Sequence, residues 1–259
     1  MFSYRSKGQK LMAVFNSFTF DGRNSLDSGV YITGQAVFNA PERVIEMVTV
    51  PGRNGAIAID QGRFENIEVT YPAGCFADSQ QEFAEKIASL RNELASRYTY
   101  KRLTDTYNPD EFRLGLYRSG LEASAVRYNT AGEFDIVFDC KPQRWLVSGE
   151  TAQTFTGGGS ITNPTLFDAK PLLAVTGSGT LTLGTQTMTI IARASSSSVL
   201  YIDCESQEAW EVVGAGKASR NDYVQNAGEE FPVLSAGANT VTLGSGITRV
   251  VITPRWWRI

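Results

Sequence analysis

Apolar and polar residues alternate in short runs along most of this chain, and between two of the clearest runs lies a dense turn signal, Val50, Pro51, Gly52, Arg53, Asn54 and Gly55. Upstream, Val44, Ile45, Met47, Val48 and Val50 are apolar. Downstream, Ile57 and Ile59 alternate with small residues before Ile67, Val69 and Tyr71 resume the pattern. A period of two predicts strands on both flanks. Pro51 fixes φ for the second position of a turn, Gly52 supplies positive φ at the third, and Asn54 and Gly55 both tolerate the left-handed region. Two turns this close predict a stiff, shaped loop, which is either a contact surface or a plain hairpin corner. The ladder is predicted to stop at Tyr71, Pro72, Ala73 and Gly74, where proline is followed closely by glycine.

The same pattern extends to both sides. Phe15, Phe18, Phe20, Val30, Ile32 and Val37, interrupted by Asp21-Gly22 and Asp27-Ser28-Gly29, read as short strands joined by turns. One helix breaks the β pattern. Ser79 with Glu82 three residues on fits a capping box, and Phe83, Ile87, Leu90 and Leu94 form one stripe, with Lys86, Arg91 and Glu93 off it. This predicts a helix near 79–97 lying on a sheet with one side wet. Tyr98 to Thr104 and Glu111 to Tyr117 then read as a pair of strands joined through Asn108-Pro109-Asp110. Leu121 to Tyr128 and Gly132 to Cys140 read as a second pair, joined through Asn129 to Gly132. In the last strand Phe134, Ile136, Phe138 and Cys140 share one face, and Pro142 keeps the chain from continuing it.

Composition then changes. The first 145 positions hold 17 basic and 18 acidic residues and the last 114 hold 7 and 9, while Gly, Ser and Thr become dense. Gly157-Gly158-Gly159-Ser160 reads as a flexible seam. The chain is therefore divided into an N-terminal domain at 1–147, a Gly/Ser/Thr-rich linker at 148–160 and a C-terminal domain at 161–259. The last of these carries short apolar runs at Pro171 to Val175, Thr180 to Leu183, Thr187 to Ile191, Val199 to Asp203, Thr240 to Leu243 and Arg249 to Ile252. Turns such as Gly177-Ser178-Gly179 and Gly244-Ser245-Gly246 separate them. Regular spacing without a helical period predicts an antiparallel β-sandwich. The fold class is mainly β with one helix.

At 259 residues, 42% apolar and 20% charged, the chain has the make-up of a globular protein with room for one large or two modest cores. Its net charge of -3 is spread without runs, which gives no electrostatic reason for a nucleic-acid or anionic-membrane partner. No segment approaches a membrane span and Leu11 to Phe15 is too short for a signal-peptide core, so assembly in the cytosol is expected. Cys75, Cys140 and Cys204 lie far apart without paired spacing, which predicts buried free thiols. There is no histidine, which removes the usual general base, imidazole-dependent triads and most zinc sites. No cofactor or metal site is indicated.

Carboxylates remain as a route to catalysis. Asp135 and Asp139 share a strand face about 13 Å apart, beyond the roughly 5 to 9.5 Å used in glycoside hydrolysis. These two, and Glu229 with Glu230, read as solvated side chains. Asp203, Cys204 and Glu205 offer too few ligands for calcium or zinc. Trp256 and Trp257 invite a sugar, with strand alternation placing one inside and one outside and Trp257 as the candidate surface aromatic.

The ordered set Val50 to Gly55, Asp60, Gly62-Arg63-Phe64, Phe138-Asp139-Cys140-Lys141-Pro142, Trp145-Leu146 and Ser148-Gly149 resembles the N-terminal domain of siphophage distal tail proteins. Gly177-Ser178-Gly179, Ile202-Asp203-Cys204, Phe231-Pro232-Val233-Leu234, Gly237, Asn239 and Pro254-Arg255-Trp256 are similar to the C-terminal galectin-like domain of the same proteins. The resemblance implies a β-sandwich, ring-forming N-terminal domain and a galectin-like sandwich behind it. It implies no enzyme but a hexameric baseplate hub, in a phage virion or a phage-derived particle, assembled in the host cytoplasm. The partners implied are copies of itself, the tail-tube protein, and tail-associated lysin, fibre or receptor-binding proteins docked on the outward sandwich.

A cyclic ring requires two different patches on each subunit. The candidates are the loop Pro51, Gly52, Arg53, Asn54 and Gly55 with Arg63, and the arm from Arg102 through Phe112 to Tyr117. Arg53 and Arg63 are expected to pair with acids of the next subunit, each pair contributing about 0 to 1 kcal/mol. Buried Phe or Tyr would matter more. The alternative is a carbohydrate-binding module of a host-recognition device, although a galectin-type sugar site leans on a histidine absent here. A carboxylate-dependent glycosidase is the third reading.

Overall fold

The structure is a computed structural model that describes residues 15–35, 39–126, 130–191, 198–226 and 230–259. The features read above at residues 1–14, Val37, Tyr128, Asn129 and Glu229 lie outside the described residues. The chain forms two units. One holds Met1–Pro109 with Arg113–Pro142, and the other holds Asp110–Phe112 with Gln143–Ile259.

The first unit contains β1 (Phe18–Phe20), β2 (Arg23–Asn24), β3 (Val30–Ile32), β4 (Arg43–Thr49), β5 (Ala56–Phe64), β6 (Ile67–Phe76), α1 (Gln80–Ala95) and β7 (Lys101–Asp105). It also holds most of β8 (Glu111–Tyr117), with β9 (Ser124–Val126) and β10 (Ala131–Cys140). Its main sheet is antiparallel, in the order β2-β1-β7-β8-β10-β6-β3, with β9 on β10. A bridge from Asn16 to Ile32 brings the chain ahead of β1 back onto β3, so the sheet curls into a half-barrel. The alternation predicted for β10 holds, with Phe134, Ile136, Phe138 and Cys140 buried. Phe138 is the hub of an aromatic core, its ring centroid 5.5 Å from Phe18, 4.9 Å from Phe20 and 6.1 Å from Tyr71.

Helix α1 is built as its stripe predicts, with Phe83, Ile87, Leu90 and Leu94 as its buried residues. Ser79 Oγ accepts from the Glu82 N–H at 3.1 Å. The Glu82 carboxylate accepts from the N–H of Asp78 in place of that of Ser79, and pairs with Lys86. Gly132 lets the helix come close, since a Cβ there would lie 2.7 Å from Phe83 Cζ.

Two predicted boundaries are corrected. β6 runs through Pro72 and Gly74 to Phe76, past its expected end. The Pro72 carbonyl accepts from the Thr33 N–H on the β3 side, just beyond the end of β3 at Ile32. A strand residue's N–H and C=O point to the same side, so the donor missing from proline falls where no ladder continues. β7 starts at Lys101 in place of Tyr98, whose side chain is exposed.

The second unit is a sandwich formed by β12 (Gln153–Phe155), β13 (Gly159–Asn163), β14 (Leu172–Gly177), β15 (Gly179–Leu183), β16 (Gln186–Ile190), β17 (Val199–Asp203), β18 (Glu208–Val213), β19 (Gly216–Ser219), β20 (Val224–Asn226), β21 (Gly237–Leu243) and β22 (Ile247–Thr253). The sheets run β12-β22-β14-β17-β18-β19 and β13-β21-β15-β16-β20. Leu173, Val175, Leu200, Ile202, Val250 and Ile252 face Ile161, Leu181, Leu183, Met188, Ile190 and Val241 across one core. A period of two in each strand supplies both halves.

β11 (Arg144–Leu146) links β23 (Trp257–Arg258) to Glu111 and Phe112 of β8. Residues 148–160, read from sequence as a linker, carry the end of a 3₁₀ turn at Val147–Glu150, all of β12, and the start of β13. Both strands are paired into the sandwich.

Candidate functional site

β4 and β5 make a two-stranded sheet of their own and pair with no other strand among the described residues. The turn between them forms as its residue types dictate. The Arg53 N–H donates to the Val50 carbonyl at 3.2 Å, and Gly52 and Gly55 take φ of 79° and 78°, which only glycine adopts without strain. Pro51, Gly52, Arg53, Asn54 and Gly55 are all exposed.

The register sets Val48 opposite Ile57, Met47 opposite Ala58, Glu46 opposite Ile59 and Ile45 opposite Asp60. One face of the ribbon therefore carries Val48, Ile57 and Ile59, and the other Ile45, Met47 and Ala58. Ile45, Met47, Ile57 and Ile59 are 46%, 62%, 36% and 45% exposed, so neither face is covered among the described residues. An isolated two-stranded hairpin is marginal in water, and apolar surface held out of a fold marks a place where something else binds.

Polar contacts brace the ribbon at its base. Arg43 pairs with Asp60, whose carboxylate also accepts the Gly62 N–H at 3.0 Å. The Arg43 hydrogen bond, then the Gly62 N–H, hold the Asp60 carboxyl below its ordinary value. The Arg43 guanidinium lies 5.4 Å from the Phe64 ring centroid. Asn66 donates to Tyr100 Oη at 2.6 Å and to Asp139 Oδ1 at 2.8 Å, and Arg118 lies 3.4 Å from the same carboxylate. Asp139 is thus committed to holding the ribbon's root, while Asp135 is exposed opposite Pro72. Arg63 pairs with Glu65 of its own chain at 3.1 Å.

The arm from Arg102 to Tyr117 is the β7–β8 hairpin, flanked by β1 and β10 in the main sheet. Arg102 is half-buried opposite Leu114. Tyr117 packs edge-on against Phe138 at 5.9 Å, and burial raises its hydroxyl pKa. Phe112 is the cross-strand partner of Trp145 and stacks on it at 6.5 Å.

In the second unit Trp256 is buried. Trp257 is half-buried, stacked on Phe167 at 4.4 Å, with its indole N–H donating to the Asp168 carbonyl at 2.9 Å. Asp203 and Arg255 form a two-pronged ion pair at 2.7 and 2.9 Å. Glu111, which the sequence did not single out, is 5% exposed and accepts from Arg144 at 3.3 Å and from Arg258. Among the described residues no group of three or more Cys, Asp or Glu is placed to hold a metal ion, and no helix is long and apolar enough to cross a membrane.

No family model matches the sequence, and no curated protein matches it. Solved structures do. The Dit (gp 19.1) protein of phage SPP1, a paradigm of the hub adsorption apparatus in phages infecting Gram-positive hosts, aligns over 94% of this chain and 99% of its own, with a TM-score of 0.71 at 13% identity. A chain of the phage p2 baseplate in its activated conformation with strontium aligns over 91% and 97%, with a TM-score of 0.51 at 9% identity. The calcium form aligns over 92% and 97%, with a TM-score of 0.50 at 8% identity. At these identities the likeness is one of fold, and it spans both units.

Proposed function

We propose that this chain, whose fold is that of a phage distal tail protein, is a structural hub of a phage or phage-derived tail tip. In this reading six copies close into a ring through the first unit. The ring joins the tail tube on one side to lysin, fibre or receptor-binding proteins on the other, and the second unit serves as the outward docking surface. The protein works by contact geometry and makes no bonds.

The ribbon β4–β5 carries the reading. Its apolar residues face both ways and are exposed in the single chain. A ring neighbour would cover them, since a heterologous interface presents a different patch to each side. The arginines contribute little beside this, because exposed pairs are worth about 0 to 1 kcal/mol. The carbohydrate alternative leaned on Trp257, whose ring is already stacked on Phe167 and tied through its N–H.

Light scattering after gel filtration tests the reading. Six copies of the 28.3 kDa chain would give about 170 kDa, and electron micrographs would show an annulus with a central channel. A 28.3 kDa particle that stays single in the presence of tail tubes, with no annulus in micrographs, overturns it.

A further inference from the structure

The two outer faces of the sandwich differ in chemistry. On the five-stranded sheet most outward positions are threonines, among them Thr180, Thr182, Thr187, Thr189, Thr240 and Thr242. On the six-stranded sheet Leu172 to Val175 and Val199 to Ile202 are apolar at every position. In an antiparallel sheet with one face in water the outward positions are ordinarily polar. Here one face meets the core, and the other lies open over a groove of about 300 Å³.

One row of cross-strand neighbours spans this open face: Thr154, Val251, Ala174, Tyr201, Trp210 and Ser219. Tyr201 and Trp210 stack with centroids 5.8 Å apart and planes 11° from parallel, and Lys217 Nζ lies 4.2 Å from the Trp210 ring. Trp210 backs one face of Tyr201. The other face looks across the small Ala174 side chain toward Val251. Strands two apart in a sheet are separated by roughly 9.6 Å, which leaves room for one more upright ring above Ala174. Arg249 is the charged residue in the groove lining, and no carboxylate or amide side chain lines it.

We infer that this groove docks a segment of a partner protein that seats one flat apolar side chain over Ala174 against Tyr201 and places a carboxylate on Arg249. The identity of the partner as a tail protein rests on the hub reading. The groove itself does not. An aromatic anchor in an apolar slot with a charged rim is the arrangement that concentrates binding energy at protein interfaces. A saccharide fits poorly, because its hydroxyls would be buried against Leu172 and Val251 without the carboxylate or amide partners they need.

Hydrocinnamate, a phenyl ring bearing a carboxylate, stands in for the seated group. Titrated into the full chain carrying methyl-labelled alanines, it is expected to shift the Ala174 signal saturably. Hydrocinnamyl alcohol, the same ring without charge, is expected to bind roughly two- to fivefold more weakly. Arg249→Gln brings the acid down to the alcohol's affinity and leaves the alcohol unchanged. Ala174→Leu fills the slot and abolishes binding of both, with an unfolding temperature within roughly 4 °C of the parent. No shift at Ala174 in the folded chain, or tighter binding of glucuronate than of hydrocinnamate, overturns the inference. The hub reading is judged separately by particle mass, so an intact ring with a silent Ala174 sinks the groove alone.

Discussion

A Cβ added to Gly177 would lie 2.0 Å from the carbonyl oxygen of Gly246, and one added to Gly246 would lie 2.5 Å from that of Ser178. Both glycines hold left-handed backbone, at φ of 98° and 100°. The Ser178 N–H donates to the Gly246 carbonyl at 3.0 Å and the Gly244 N–H to that of Thr180 at 2.7 Å. Two Gly-Ser-Gly turns thus pack backbone on backbone where β14 of one sheet hands over to β15 of the other. Gly177→Ala is expected to cost about 2–4 kcal/mol through clash and strain together. Gly157→Ala, with nothing within 4 Å of its Cβ position, should stay within about 0.5 kcal/mol of the parent. Equilibrium urea unfolding of the two variants decides it, and equal midpoints would refute the packing argument.

Asp203 is held by Arg255 and by the N–H groups of Glu205 and Ser206. Burial alone would push its carboxyl up, but these donors outweigh it and leave the pKa below the ordinary value. A depressed folded-state pKa contributes stability that is present above the unfolded value, about pH 4, and is lost as pH falls through the folded one. Asp203→Asn is therefore expected to be roughly 1–2 kcal/mol less stable than the parent at pH 7. The gap should narrow as pH falls below about 4. Thermal melts across that range check the sign, and a gap that widens in acid contradicts it.

What the sequence discloses depends on whether the burial that shapes a segment is local. Helix α1 and strand β10 were legible because Phe83, Ile87, Leu90 and Leu94, and Phe134, Ile136 and Phe138, carry the period of their element and meet one core. β18 and β19 are not, since Glu208–Val213 and Gly216–Ser219 show little apolar alternation, β18 being placed by its register with β17 and β19 by its register with β18. Glu111 looked like any strand acid, because its partners lie 33 and 147 residues away. The ribbon's turn was plain. Its isolation was not, because Val44, Val48, Ile45 and Met47 place apolar side chains at both parities and the pattern does not say whose atoms cover them.

The three thiols are buried and unpaired. Burial pushes the Cys140 and Cys204 thiols up to about 12 and raises Cys75 as well. The thiolate is the reactive form, so folding silences all three twice over, by access and by protonation. A chromogenic disulfide reagent at pH 8 is expected to titrate no thiol in the native chain within minutes and all three in denaturant. A fast stoichiometric reaction of native protein would show that a strand bearing one of them opens readily.

Met47 and Ile59 lie on opposite faces of the ribbon, 62% and 45% exposed. A charge at either position meets water in the single subunit, so Met47→Asp and Ile59→Asp should leave subunit stability within about 0.5 kcal/mol. In a ring the same charge would be buried against a neighbour without a partner, a penalty large enough to dissociate a modest interface. Both variants are therefore expected to shift the scattering mass from the assembled to the single-chain value, while Arg53→Ala, which removes only an exposed charge, leaves it in place. Loss of assembly with Met47→Asp alone would assign the neighbour to one face of the ribbon. Unchanged mass in both would mean that the ribbon is not where copies of this chain meet.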